Sequence, residues 1–195
     1  MVTKNGHGKK VAAESFSDVR RSGIIALRLK GDDQLISVLF TNKGDSVMIT
    51  TGRGQSIRFK ESDIRQMGRT ASGVRAMRLR KNDSVIAADV VSKEAKGAML
   101  LGITFNGYGK KTDIKEYKIQ KRGGSGIKAA KITPKTGDLI TSKVITETDT
   151  EIVAISKKSQ VIRVDLKEIS ELGRQTQGVR IMKLREGDSI ASLVC

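Results

Sequence analysis

The sequence predicts an all-β fold of propeller-like blades, and three observations lead to that prediction. A unit of about 50 residues occurs nearly four times, since a similar segment begins at Gly23, Gly73, Gly126 and Gly178. Each full unit divides into four short runs in which apolar and polar residues alternate. No run keeps a helical period for more than about two turns. Four strands in a repeat of about 40–50 residues are typical of propeller blades.

The second copy illustrates the predicted elements in chain order. They are a strand over 45–51, a strand over 56–60, a long loop over 61–72, a strand over 73–79 and a strand over 84–91. Gly52 and Gly54 predict a tight hairpin between the first two strands, because glycine tolerates positive φ. Ile57 and Phe59 lie on one face of the second strand. Arg58 lies on the other face, so we expect it to point to solvent.

The repeats divide the chain into one repeat domain with four parts. The predicted copies span residues 1–39, 40–91, 92–145 and 146–195. The first copy is incomplete, and the last strand resembles one that leads into another blade, so we expect a fragment of a longer protein. The turn before the last strand of each copy carries an acidic residue that is typical of a turn former. These residues are Asp33, Asp83, Asp138 and Asp188.

The chain is strongly basic. It has 195 residues, with 37 Lys and Arg against 21 Asp and Glu, and a formal net charge of +16. An imbalance of this size predicts binding to a polyanion. No apolar stretch approaches the roughly 18 residues of a membrane-spanning helix, and no signal-peptide core begins the chain. We therefore expect a cytoplasmic protein with no membrane partner.

The supply of cysteine and histidine limits the possible chemistry. Cys195 is the only cysteine and His7 the only histidine. An internal disulfide is excluded, and a Cys- or His-based metal site or a His-dependent catalytic triad is not expected. We expect no catalytic residue, no metal and no cofactor in this chain.

Basic residues recur at fixed positions of the repeat. Two positions are basic in all four copies: Lys10, Arg58, Lys111 and Arg163 on the second strand, and Arg28, Arg78, Lys131 and Lys183 on the third. Two more are basic in three copies: Arg75, Lys128 and Arg180 on the third strand, and Arg69, Arg122 and Arg174 in the long loop. An ordinary solvated face mixes charge signs. The repetition of one sign therefore favours contacts with the phosphates of duplex DNA.

One loop of the third copy carries a specific resemblance. It reads Gln120-Lys121-Arg122-Gly123-Gly124-Ser125-Gly126, and paired glycines between basic residues let backbone N–H groups approach a phosphate. It resembles the box Gln-Arg-Arg-Gly-Gly-Lys-Gly of the C-terminal domain of the DNA gyrase A subunit, with Lys121 and Ser125 in place of the usual Arg and Lys. The segments 58–62, 67–75, 106–112 and 173–180 are similar to the same family, so the resemblance covers essentially the whole chain.

The resemblance implies a six-bladed β-pinwheel whose neighbouring blades share strands, and about four four-stranded blades are expected here. It implies that duplex DNA wraps around a basic rim. That wrapping would support ATP-dependent negative supercoiling by a holoenzyme that contains the rest of the gyrase A subunit together with the gyrase B subunit. It also implies a bacterial cytoplasmic, nucleoid-associated protein. The predicted DNA-binding set is the repeated cations together with Lys110, Gln120, Lys121, Gly123, Gly124 and Gly126.

Three alternatives stay open. The C-terminal domain of the topoisomerase IV A subunit usually has degenerate boxes and fewer blades, so the intact loop at 120–126 favours gyrase. A protein-interaction propeller would carry an exposed apolar patch, and its charge would be incidental. An RNA- or single-strand-binding propeller would need aromatic stacking platforms, which are scarce in this chain.

Overall fold

The computed structural model describes residues 1–19 and 21–194. The strands are β1 (Val2–Thr3), β2 (His7–Gly8), β3 (Leu35–Ser37), β4 (Ser46–Thr51), β5 (Gln55–Lys60), β6 (Val74–Arg75), β7 (Val85–Val91), β8 (Met99–Thr104), β9 (Tyr108–Asp113), β10 (Ile127–Lys128), β11 (Leu139–Ile145), β12 (Glu151–Ser156), β13 (Val161–Asp165), β14 (Val179–Arg180) and β15 (Ile190–Val194). The helical residues form 3-10 turns at Ala13–Phe16, Glu61–Asp63, Ile114–Glu116 and Leu166–Glu168. No helix in the described part of the chain has the length and apolarity to cross a membrane. The predicted all-β fold is confirmed.

Four antiparallel sheets form the blades, and the first three each contain a strand from the following repeat. In strand order, blade 1 is β3-β1-β2-β6, blade 2 is β7-β4-β5-β10, blade 3 is β11-β8-β9-β14 and blade 4 is β15-β12-β13. The borrowed strands are β6, β10 and β14, and each pairs with the second strand of the repeat before it. This exchange is the arrangement of a pinwheel. Within the described residues, blade 4 has three strands.

The borrowed strands are shorter than the sequence predicts. The predicted strand over 73–79 has regular pairing only at Val74–Arg75. The next two amides, of Ala76 and Met77, both donate to the carbonyl of Gly6, so the chain turns away from the sheet at the neighbouring hairpin. The same pattern recurs at the other two junctions, where 129–130 donate to Gly54 and 181–182 donate to Gly107.

These hairpin glycines are required where a borrowed strand lies. Gly54 has φ +74, and a Cβ there would lie 2.7 Å from the carbonyl oxygen of Ala130. Gly6 has φ +80, and a Cβ would lie 2.6 Å from the carbonyl oxygen of Met77. The left-handed conformation disfavours an L side chain, and the close approach of the borrowed strand leaves no room for a Cβ. Ser159 takes the equivalent position in blade 4 with φ 62.

The apolar core lies between neighbouring blades. Ile49, Phe59 and Met77 belong to a cluster that joins the first two repeats. Met48, Leu100 and Tyr117 belong to the next cluster, and Leu101, Ile152 and Met182 belong to the last. The blades are therefore held together by burial of apolar surface, the dominant favourable contribution to folding.

An aspartate closes the hairpin in three of the four repeats. Asp83 accepts from Thr51 Oγ1 at 2.7 Å and from the amide of Arg53 at 3.0 Å, and Asp33 and Asp188 accept equivalent bonds. The prediction that Asp138 has this role in the third repeat is wrong. The third repeat has one more residue in this turn, so Asp138 is exposed, and the amide of Asn106 donates to the carbonyl of Thr136.

Candidate nucleic-acid interface

The cations of the third-strand positions are exposed. Arg75 lies on β6, Lys128 on β10 and Arg180 on β14. Each therefore lies on the edge strand of one of the first three sheets, so one exposed cation recurs at each junction between blades. The third-strand position that is basic in all four copies is exposed as well, and it is occupied by Arg28, Arg78, Lys131 and Lys183.

Three of the four cations at the second-strand position are half-buried, because their side chains contact the next blade. Arg58 Nη1 donates to the carbonyl of Ile114 at 3.2 Å and to that of Tyr117 at 3.4 Å. Lys111 Nζ donates to the carbonyl of Leu166 at 2.8 Å. Lys10 Nζ lies 3.3 Å from the carbonyl oxygen of Glu61 and 2.5 Å from its carboxylate.

Each of the three side chains contacts the first residue of a 3-10 turn of the following repeat, which is Glu61, Ile114 or Leu166. We call Lys10, Arg58 and Lys111, each with its carbonyl acceptor, the inter-blade clamps. The expectation that Arg58 points to solvent is wrong: its side chain is half-buried, and burial lowers the pKa of Arg58. Strand alternation placed Arg58 correctly on the face opposite Phe59, but the next blade covers that face.

Arg163, at the same position of blade 4, behaves differently. It is exposed and makes a bidentate contact with Glu151, with Nε 2.5 Å from Oε2 and Nη2 2.6 Å from Oε1. The hydrogen bond to Glu151 raises the pKa of Arg163. Its charge is therefore locally matched by a carboxylate, whereas the third-strand cations form no ion pair with another described residue.

Lys110 is buried, although the sequence predicted a contact with DNA. Its Nζ donates to the carbonyls of Gly173 at 2.5 Å and Arg174 at 2.7 Å and to Thr176 Oγ1 at 3.1 Å. Burial lowers the pKa of Lys110 to about 8. Lys110 therefore supports the long loop of the next repeat.

Lys9 has the corresponding role in the first repeat, and sequence reasoning missed it. Its Nζ donates to the carbonyls of Ala26 and Arg69, and burial lowers the pKa of Lys9. A signal was present, because Gly8-Lys9-Lys10 repeats as Gly109-Lys110-Lys111.

The box at 120–126 lies against the preceding repeat. Arg122 donates from Nε to the carbonyl of Asp63 at 2.8 Å and from Nη1 to that of Arg75 at 2.9 Å. Arg174, its counterpart in the fourth repeat, donates from Nη1 to the carbonyl of Lys128 at 2.9 Å. These arginines therefore fasten each long loop to the borrowed strand that comes from the preceding repeat, β6 for Arg122 and β10 for Arg174.

The box glycines permit close packing. The amide of Gly123 donates to the carbonyl of Ala76 at 2.6 Å, so this N–H is engaged within the protein and not directed at a ligand. A Cβ at Gly126, which has φ +71, would overlap the carbonyl of Ser56. Gln120 is half-buried, and within the described residues its buried Nε2 has no hydrogen-bond partner.

The predicted DNA-binding set thus separates by exposure. Arg28, Arg75, Arg78, Lys121, Arg122, Lys128, Lys131, Arg163, Arg180 and Lys183 are exposed. Lys10, Arg58, Arg69, Lys111, Gln120, Gly123, Gly124, Gly126 and Arg174 are half-buried, and Lys110 is buried. Among the described residues, no group of three or more His, Cys, Asp or Glu is placed to hold a metal.

Comparison with known proteins gives the family. The model of the DNA gyrase C-terminal domain, beta-propeller, matches residues 1–42, 45–92, 98–146 and 150–195. The DNA gyrase A subunit of Staphylococcus epidermidis is 38% identical over 192 residues, and that of Staphylococcus aureus is 36% identical. Each match covers 98% of this chain and 21% of the relative. The chain therefore spans about a fifth of the length of these relatives.

Solved structures agree. The structure of a DNA gyrase A C-terminal domain superposes with a TM-score of 0.87 at 27% identity, over 98% of this chain and 63% of that one. The C-terminal domain of a DNA topoisomerase IV shares the fold, with a TM-score of 0.91 at 22% identity, over 99% of this chain and 59% of that one. Four family matches along a strand-exchanging β-repeat establish that the chain belongs to the DNA gyrase C-terminal domain family.

Proposed function

We propose that this chain binds and bends duplex DNA without sequence specificity, as part of the DNA gyrase A subunit. The observation that carries the proposal is the recurrence of exposed cations at one structural position in every repeat, at Arg28, Arg78, Lys131 and Lys183. None of the four forms an ion pair with a carboxylate of residues 1–19 and 21–194. A net charge of +16 adds long-range attraction for a polyanion. Cations that touch phosphates position DNA without reading its sequence.

The arrangement suits a bent duplex. Arg75, Lys128 and Arg180 recur at successive blade junctions, so a duplex that follows them would meet phosphate contacts at regular intervals. Bending about 20–30 base pairs by about 40–90° costs roughly 1–6 kcal/mol. Several phosphate contacts on each blade would offset that cost.

The proposed place of the module is a holoenzyme that contains the remainder of the gyrase A subunit together with the gyrase B subunit. There, a wrapped segment would support ATP-dependent negative supercoiling, and the chemistry would belong to other parts of the enzyme. Two observations favour gyrase over topoisomerase IV: the box at 120–126, and 38% identity to a relative that is a gyrase A subunit. We place the protein in the bacterial cytoplasm, in contact with the nucleoid.

Binding of this chain to fluorescently labelled duplexes of unrelated sequence, measured over a salt series, tests the proposal. With about 6–10 phosphates neutralised, affinity should fall about 10³–10⁵-fold between roughly 50 and 200 mM salt. The triple variant Arg78→Ala, Lys131→Ala, Lys183→Ala should bind more weakly and with a shallower salt slope. The matched control removes three other exposed cations, by Lys43→Ala, Lys96→Ala and Lys115→Ala. Equal losses in the two triple variants, or affinity that ignores salt, would contradict the proposal.

A further inference from the structure

An open recess of about 420 Å³ lies at the junction of blades 3 and 4 and is rich in positive charge. Four basic side chains line it: Lys135, Arg180, Lys183 and Arg185. Each of the four is exposed, and none forms an ion pair with a carboxylate of the described residues.

The one carboxylate in the lining is already occupied. Asp188 is buried, and it accepts from Ser156 Oγ at 2.5 Å and from the amides of Lys158 at 3.0 Å and Ser189 at 2.7 Å. Its charge is directed at the hairpin. The basic side chains of the recess therefore have no counter-ion among the residues that the structure describes.

Tyr108 holds two of these cations in place. Arg180 lies directly opposite Tyr108 in the β9–β14 pair, and its Nη2 donates to the phenol oxygen at 3.0 Å. The guanidinium carbon of Arg180 and the Nζ of Lys135 each lie 5.5 Å from the centroid of the ring. Both distances are within the range of a cation–π interaction. One buried ring thus orients two like charges that would otherwise move apart.

The arrangement is specific to the third repeat. At the equivalent cross-strand positions, His7 faces Arg75 in blade 1 and Gln55 faces Lys128 in blade 2. Lys135 belongs to the turn of the third repeat that has the extra residue. Asn106 Nδ2 anchors that turn by donating to the carbonyls of Pro134 at 3.3 Å and Lys135 at 3.0 Å.

We propose that Lys135, Arg180 and Lys183 form a phosphate-binding site that Tyr108 preorganises. A guanidinium matches two oxygens of a phosphate, and the ammonium groups add point charges. Fixing the cations in advance removes part of the entropy cost of binding. The inference rests on the proposed DNA binding for the source of the phosphate: the duplex is anchored more firmly at the blade 3–4 junction than at the other two. Free phosphate shares the same chemistry, and the experiment separates the two sources.

The first arm uses inorganic phosphate and the ionisation of Tyr108. The hydrogen bond from Arg180 lowers the pKa of Tyr108, whereas burial raises the pKa of Tyr117 to about 12. We therefore expect the two phenols to titrate separately in near-ultraviolet absorbance. A bound phosphate disfavours the phenolate, so the Tyr108 midpoint should move up in phosphate relative to chloride at equal ionic strength. Lys135→Ala should abolish the response. An unchanged midpoint in phosphate would overturn the site.

The second arm compares DNA affinities of two double variants of this chain. Lys135→Ala with Arg180→Ala should weaken duplex binding by about tenfold or more. The matched control, Arg75→Ala with Lys128→Ala, also removes two exposed cations, one at each of the other junctions, and should weaken it less. Equal losses in a module that binds DNA would overturn the anchoring while leaving the proposed function intact. A module that never binds DNA would refute the proposed function, and a phosphate response would then identify free phosphate as the ligand.

Discussion

Arg58, on the second strand of blade 2, donates its guanidinium Nη1 to the carbonyl of Ile114, the first residue of a 3-10 turn in the next repeat. Lys111 repeats the contact one blade further on, with Leu166. Part of the charge that the sequence offers for DNA therefore serves to join blades. Because each clamp joins two repeats, we expect the clamps to limit changes in the angle between neighbouring blades, as the proposed DNA path would require.

The first prediction concerns this clamp. Arg58→Ala removes the guanidinium donor from the carbonyls of Ile114 and Tyr117, of which Ile114 still accepts from the amide of Tyr117. We expect the variant to lower the free energy of unfolding by about 1–3 kcal/mol. Urea denaturation measures the loss. Arg58→Lys should recover part of it, because lysine makes the same contact at Lys111.

Arg163→Ala is the matched control for the clamp. Arg163 holds the same repeat position but is exposed and contacts Glu151 of its own blade. It should stay close to the parent in stability, because exposed ion pairs contribute little. A larger loss for Arg163→Ala than for Arg58→Ala would contradict the clamp.

The second prediction concerns strand exchange. Gly54→Ala should cost more than about 2 kcal/mol, because it combines a left-handed backbone with overlap of the Ala130 carbonyl. Gly31→Ala is the comparison, since Gly31 has φ +57 and no atom within 4 Å of a built Cβ. Thermal unfolding of both variants isolates the contribution of the borrowed strand. Equal destabilisation would show that backbone strain alone matters.

The third prediction concerns pH. Lys110 has a pKa of about 8 in the fold against an ordinary 10.5, so between these values the unfolded chain binds more protons than the folded one. The free energy of unfolding should therefore rise with pH across this window, by on the order of 3 kcal/mol from this group. Below it, the group is protonated in both states and its contribution is constant.

Urea denaturation of the parent and of Lys110→Met at several pH values between about 8 and 10.5 measures this effect. Other groups, such as Lys9 and Tyr117, titrate in both proteins and cancel in the difference. The free energy of unfolding of the parent minus that of Lys110→Met should increase with pH. A difference that is independent of pH would show that Lys110 does not lose its proton within the fold.

The fourth prediction concerns the box. Arg122→Ala with Gln120→Ala should reduce the yield of small DNA circles in a ligation assay more than it reduces affinity. The reason is that Arg122 fastens the loop to Asp63 and Arg75 of the preceding repeat, so its loss loosens the blade junction. Lys121→Ala, at an exposed box position, is the control and should lower affinity slightly without affecting bending. Unchanged circle yield in the double variant would remove any special role for the box.

Much of the fold was predictable from local patterns. Alternating residues such as Ile57 and Phe59 mark a strand with one buried face, and Gly54 marks its hairpin, because both signals come from neighbouring residues. The blade to which a strand belongs was not predictable in this way. Val74 and Arg75 alternate in the same manner whether they pair within their own repeat or with the previous one. The alternation indicates which face of the sheet each side chain occupies, but it does not indicate the partner strand.

The site was predictable only in part, for a related reason. Repetition located the cations, and exposure of Arg78 and Lys183 follows from position. A half-buried cation of this kind is bound by backbone carbonyl groups, and because every residue carries one, the sequence does not mark the acceptor. Arg58 and Arg163 therefore hold the same repeat position, although Arg58 contacts the next blade and Arg163 is exposed. The single extra residue before Leu139 displaced Asp138 from its expected place and also brought Lys135 over Tyr108.

Strand exchange has a consequence for how the domain folds. Blade 1 cannot complete its sheet until β6 of the second repeat has formed. In the same way, the sheets of blades 2 and 3 require β10 and β14 from the repeats that follow them. An intermediate with one finished blade beside unfolded neighbours would leave a bare sheet edge and an uncovered apolar face. We therefore expect the array to fold and unfold as a cooperative unit, with partial opening confined to its ends, in contrast to repeat proteins whose units contact each other only across a surface.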